Sequence, residues 1–159
     1  MDRERAFGVV AKDQAMALTG LDFMRKVQAG ELPSPPFAET ADMWPVLVEK
    51  GRVVFEGVPS TRFYNPMGTV HGGWLATLLD SVMGCAVHTT LEAGQLYTTL
   101  EMKIVFVKAA FEKTGTLRAE GTLLHAGSRV ASSEGKIYDA AGALIAHGSE
   151  TCLIMQAPR

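Results

Sequence analysis

The sequence predicts an α+β fold, one antiparallel sheet wrapped round a single long helix. Three observations predict it. Residues 73–87 are apolar on nearly every helical face, as in a buried helix. Two short strand patterns precede that run, at 44–49 and 52–58. Four longer β-branched and aromatic stretches follow it, at 97–107, 116–125, 130–139 and 144–154.

At 159 residues the chain reads as one domain, with 1–35 as an N-terminal helical extension and 40–156 as the core. Residues 1–18 carry mixed charge and weak periodicity. Leu21, Met24 and Val27 then recur at three-residue steps. Gly20-Leu21-Asp22 opens a short helix and Gly30 closes it, with Pro33 soon after. That helix is expected to cover one end of the core. Ser34-Pro35-Pro36 reads as a stiff linker. Lys50-Gly51 is a hairpin turn between the first two strands. The long helix runs from Gly73 to about Thr89. Ala126-Gly127-Ser128 and Ala140-Ala141-Gly142 connect the later strands as hairpins. The order is therefore strand pair, buried helix, four-strand meander, which is the hotdog architecture. A helix wrapped on one side leaves an apolar face open, so a dimer is expected.

Composition narrows the function. Apolar residues make up 47 % and charged residues 20 %, with a net charge of −2, which argues against broad nucleic-acid binding. Cys85 and Cys152 lack metal-ligand spacing and read as reduced core thiols of an intracellular protein. No apolar run reaches membrane-spanning length, and Met1-Asp2-Arg3-Glu4-Arg5 lacks the apolar core of a signal peptide. The expected location is the cytoplasm. His88, His125 and His147 show no ligand spacing, so no metal is expected.

The chemistry concentrates in residues 65–80. A turn-rich loop enters a glycine pair at Gly72 and Gly73, where the first helical turn offers free N–H groups and the positive end of the dipole. That suits an oxygen carrying negative charge. Asp80 lies within the apolar helix, and a buried carboxylate is costly unless paired or employed. The plain alternative is a structural Asp bonded to neighbouring hydroxyls. Gly72 and Asp80 are separated by roughly 12 Å along one helix, so one chain cannot bring both to one carbonyl. Two antiparallel helices across a two-fold axis can. Trp74, Met83 and Met67 suggest an apolar or aromatic pocket.

Asn65-x-x-Gly68-x-x-His71-Gly72-Gly73, with Asp80 nine residues after the His, resembles the hotdog acyl-CoA thioesterases, in particular the phenylacetate-degradation type related to hydroxybenzoyl-CoA thioesterase. The resemblance spans about residues 20–155. It includes residues 20–24, 30–33, 98–103, 127–131 and 147–151.

The resemblance implies hydrolysis of an acyl- or aryl-CoA to free acid and CoA. No separate cofactor is implied, because CoA belongs to the substrate. Gly72 matches the glycine whose N–H polarises the thioester carbonyl. Asn65 matches the residue that helps hold the carbonyl or water. Asp80 matches the general base or nucleophile. Thr99 matches the hydroxyl that orients water, with Thr98 as the fallback. Tyr97, Thr99 and Glu101 are expected on one strand face, and Thr98, Leu100 and Met102 on the other. His71 either forms a dyad with Asp80 or fixes its turn through backbone bonds, and the absence of a serine elbow favours the turn. CoA contacts are implied for Gly73, for Phe106, Val107 and Lys108, and for His125, Gly127, Ser128 and Arg129. A homodimer, or a dimer of dimers, is implied as well. The rival readings are a hotdog dehydratase, whose Asp-x-x-x-x-His pattern is absent, and a non-catalytic acyl-CoA binder.

Overall fold

The central helix, α4, runs Gly72–His88 and presses Leu75, Leu78, Leu79, Val82, Met83 and Ala86 onto a six-stranded sheet. The computed structural model describes residues 5–157, so residues 1–4, on which the expectation of a start without a signal peptide largely falls, lie outside the described residues. The strands are β1 (Met43–Glu49), β2 (Arg52–Gly57), β3 (Gln95–Phe106), β4 (Leu117–Ala126), β5 (Val130–Tyr138) and β6 (Leu144–Gln156). All pair antiparallel, in the order β1-β2-β4-β5-β6-β3. The helix lies close because Gly121 and Gly135 pair beneath it. A Cβ at Gly121 would overlap the Val82 carbonyl, and one at Gly135 would stand 2.8 Å from Met83 Cγ.

The element order is as expected, but the meander has three strands, β4-β5-β6. β3 lies on the far edge and pairs with β6. Its connection to β4, residues 107–116, is too long for a tight hairpin and carries the chain back to β2. The outer edge of β3 has no strand partner among the described residues, and Leu100, Val105 and Phe106 along it are exposed.

The N-terminal segment forms α1 (Lys12–Met16), α2 (Gly20–Gln28) and α3 (Pro36–Ala41). The side chain of Thr19 caps α2 by accepting from the Asp22 N–H. As expected, α2 docks at one end of the core. Gly20 abuts the His88 carbonyl and donates its N–H to Leu91 O. The expectation of a linker at Ser34-Pro35-Pro36 is corrected, because Pro36 opens α3, where its missing N–H costs nothing. The Trp74 indole donates to Ala41 O at 2.7 Å and ties the start of α4 to the end of α3.

Candidate active site

The start of α4 is organised by a loop that bonds to itself. Asn65 Oδ1 accepts from the N–H groups of Met67 and Thr69, and its Nδ2 donates to Thr69 Oγ1 at 2.9 Å. Gly68 occupies a positive φ of 77° in that turn. Asn65 therefore shapes the loop first and keeps one amide hydrogen for another partner. His71 is the N-cap of α4, its Nδ1 accepting from Gly73 N–H at 2.8 Å. It fixes the turn, as the second of its two readings has it, and forms no bond to Asp80 among the described residues. This cap also engages the Gly73 N–H. The N–H of Gly72 has no hydrogen-bond partner among the described residues, so it remains the open donor at the positive helix end. A Cβ at Gly72 would lie 3.1 Å from the Phe106 ring, which sets that exposed aromatic beside the donor.

Two turns further on, Asp80 lies half-buried beside Thr99, whose hydroxyl is 3.5 Å from Asp80 Oδ1 and 2.7 Å from Glu150 Oε1. Burial raises the Asp80 pKa above its ordinary value, and the weak contact from Thr99 partly opposes the shift. Both Thr98 and Thr99 are exposed, but Thr99 is the threonine that reaches the carboxylate. The expected face assignment of β3 fails one residue later. A bulge between Thr99 and Glu101 flips the alternation, so that Met102 and Ile104 pack inward and Glu101 bonds Thr151 on the outer face.

Asp80 and Thr99 line a cavity of about 260 Å³ between the N-terminal helices and α4. Phe23, Met24, Val27 and Phe37 form one wall, and Cys85 and His88 continue the α4 row beyond Asp80. His88 lies between the Phe23 and Tyr97 rings, and burial lowers its pKa to about 4, which keeps it neutral. The expected pocket methionines and tryptophan are elsewhere. Trp74 and Met83 face the sheet in the core, and Met67 is 85 % exposed. The helical phase explains it, since Asp80, Ser81, Cys85 and His88 share the opposite stripe. That stripe of small and polar residues was a signal in the sequence. Glu150 was also missed.

The expected CoA contacts fall into two groups. Phe106, Val107 and Lys108 end β3, where Phe106 aligns with Ala146 and that with Ile137. Lys108 pairs with Asp139 at 3.0 Å. His125, Gly127, Ser128 and Arg129 form the β4–β5 hairpin, at the row of Val130, Leu153 and Thr98. Eight residues of β3 part the two rows, roughly 26 Å at about 3.3 Å per residue. One chain does not bring them together.

A family model of the thioesterase superfamily matches residues 67–146, the segment holding Gly72, Asp80 and Thr99. Together with the sheet-wrapped helix, this places the chain in the thioesterase superfamily, as a thioester hydrolase of hotdog fold. A phenylacetic acid degradation-related protein of Ralstonia eutropha is 31 % identical, superposes with a TM-score of 0.75, and covers 82 % of this chain and 98 % of its own. A protein of Saccharolobus solfataricus that bears an esterase name is 33 % identical over 103 residues, 65 % of this chain and 71 % of its own. A Streptococcus mutans protein bound to acetyl-CoA shares the fold at 24 % identity and a TM-score of 0.65, covering 72 % of this chain and 90 % of its own. Among the described residues no helix is long and apolar enough to cross a membrane.

Proposed function

We propose that this chain hydrolyses acyl- or aryl-CoA thioesters at a site divided between two subunits of a homodimer. The observation that carries the reading is the half-buried Asp80, with the Thr99 hydroxyl 3.5 Å away, in the lining of an apolar cavity. Its raised pKa suits a general base, because a carboxylate that holds a proton more tightly takes one more readily from water. The Thr99 hydroxyl beside it provides a hydrogen-bonding place for that water, which favours the base route over direct attack. The water oxygen bonds to the thioester carbon as Asp80 takes the proton. The carbonyl electrons move to oxygen, and the N–H of the partner subunit's Gly72 donates a hydrogen bond to that oxyanion. Collapse breaks the C–S bond, and the CoA sulfur leaves with the proton from Asp80.

The cavity is the acyl pocket. An engineered apolar cavity of about 150 Å³ holds benzene, so 260 Å³ admits one ring with a short spacer or a medium alkyl chain. The CoA moiety runs over Phe106–Lys108 of one subunit and the 125–129 hairpin of the other. The Streptococcus mutans relative with acetyl-CoA bound supports this class of ligand. Two free cysteines fit a reducing cytoplasm.

Asp80→Asn tests the reading in a thiol-release assay over a panel of acyl-CoAs. The variant keeps shape and loses the base. Turnover falls on the order of 10²–10⁴-fold with an unchanged circular dichroism spectrum. Wild-type turnover by Asp80→Asn overturns the mechanism.

A further inference from the structure

Along β6 the inward positions from residue 150 run Glu150, Cys152 and Ile154. Glu150 is 1 % exposed, yet no cation pairs with it among the described residues. Its Oε1 accepts from Thr99 Oγ1 at 2.7 Å and from Cys152 Sγ at 3.0 Å. Its Oε2 is buried without a partner among the described residues, as is the hydroxyl of Ser133, which lies opposite on β5. A carboxylate buried on these terms destabilises the fold.

The Thr99 hydroxyl has one proton and two carboxylates to choose from. The contact to Glu150 is short and charge-assisted, and the one to Asp80 is at the limit of a hydrogen bond. The proton therefore goes to Glu150. If Thr99 donated to Asp80 instead, it would occupy the oxygen that must take the proton of water.

We propose that Glu150 is a positioning residue for the hydrolysis: it holds the Thr99 proton, which leaves the Thr99 oxygen to accept from the attacking water, and it sets a second negative charge behind Asp80. This rests on the reading of Asp80 as the acting base.

The consequence is a pH signature. Burial raises the Glu150 pKa, the bonds from Cys152 and Thr99 oppose the rise, and the neighbouring Asp80 charge adds a smaller push upward, so ionisation of one carboxyl opposes that of the other. Other titratable groups face the pair. From α4 comes Cys85, pushed up to about 12 by burial. From β3 comes Tyr97 and from β6 Cys152, both raised by burial. β5 contributes the Ser133 hydroxyl, and the N-terminal helices, β1 and β2 present no charged side chain to the cavity. These thiols and the phenol stay neutral over the acid range. His88 lines the same cavity and is left in place in every variant.

Catalysis needs ionised Asp80, and a like charge behind it delays ionisation to higher pH. Removing that charge moves the acid limb of kcat/KM to lower pH. The stability effect has its own sign. A carboxyl whose folded pKa is raised stabilises the fold below the ordinary carboxylate range, and that contribution is lost as pH rises through the folded pKa. A neutral residue at 150 therefore raises Tm at pH 7, and the gain fades towards pH values below the carboxylate range.

Glu150→Gln is the test, run beside Asp80→Asn. The expected result is a kcat lower on the order of tenfold, as loss of one orienting charged hydrogen bond implies, with KM kept. The acid limb moves down by about one pH unit, and Tm rises at pH 7. Glu150→Met, apolar and of similar length, repeats the measurement should the amide disturb the fold. An unmoved acid limb, a lowered Tm at pH 7, or failure of both variants to fold overturns the proposal and makes Glu150 structural. An inactive Asp80→Asn beside an unaltered Glu150→Gln profile removes Glu150 alone. Full turnover by Asp80→Asn removes the base assignment itself.

Discussion

At Gly72 one backbone N–H distinguishes a plain helix start from an oxyanion site, because the next N–H is already taken by His71. Gly72→Pro deletes that hydrogen while keeping a residue that suits an early helical position. The Phe106 ring beside it is exposed and able to swing away. The expected outcome is a kcat lower by about 10²–10³ with native circular dichroism, and normal turnover in the folded variant excludes Gly72 from the site. The pair Gly72 and Asp80 was legible in the sequence for physical reasons: glycines at a helix start, and a carboxylate in an apolar helix. Glu150 was not legible. A glutamate between Ser149 and Thr151 looks like a solvated strand position, and its inward phase depends on pairing with β3 and β5. The bulge after Thr99 was hidden for the same reason, since it exists only as a mismatch between two strands.

The helices α2 and α3 are the elements that give the cavity its far wall. Phe37 on α3 lines that cavity while 57 % exposed, so trimming it opens the wall with little loss of packing. Phe37→Ala is expected to raise kcat/KM for bulkier acyl groups relative to acetyl-CoA by several-fold up to about tenfold, with Tm nearly unchanged. An identical substrate profile in a panel of acyl-CoAs contradicts the assignment of this wall. The elements themselves were legible, since β-branched and aromatic stretches bounded by turns marked the strands and an all-round apolar run marked α4. The edge placement of β3 was not, because strand order depends on the path of residues 107–116 rather than on any local pattern. The lining of the cavity was not legible for a similar reason. Hydrophobicity alone does not say which helical stripe faces the sheet, and the large residues Trp74 and Met83 went to the core.

In the whole molecule the proposed machinery falls into two half-sites. Gly72 and Phe106 stand at one end of α4 and β3, and Asp80, Thr99 and Glu150 stand some turns away. The unpaired, partly apolar edge of β3 is the kind of edge that joins a second copy. The proposed dimer places a two-fold axis across it, which would run the helices antiparallel and bring the halves together. Subunit complementation tests this most directly. Inactive Asp80→Asn chains are mixed in equal amounts with inactive Gly72→Pro chains and allowed to exchange, with exchange confirmed by a mass tag. In a shared site each mixed dimer carries one doubly damaged site and one intact site. Half of the dimers are mixed, so about a quarter of wild-type activity per protomer returns. Complete exchange with no recovered activity contradicts the shared site.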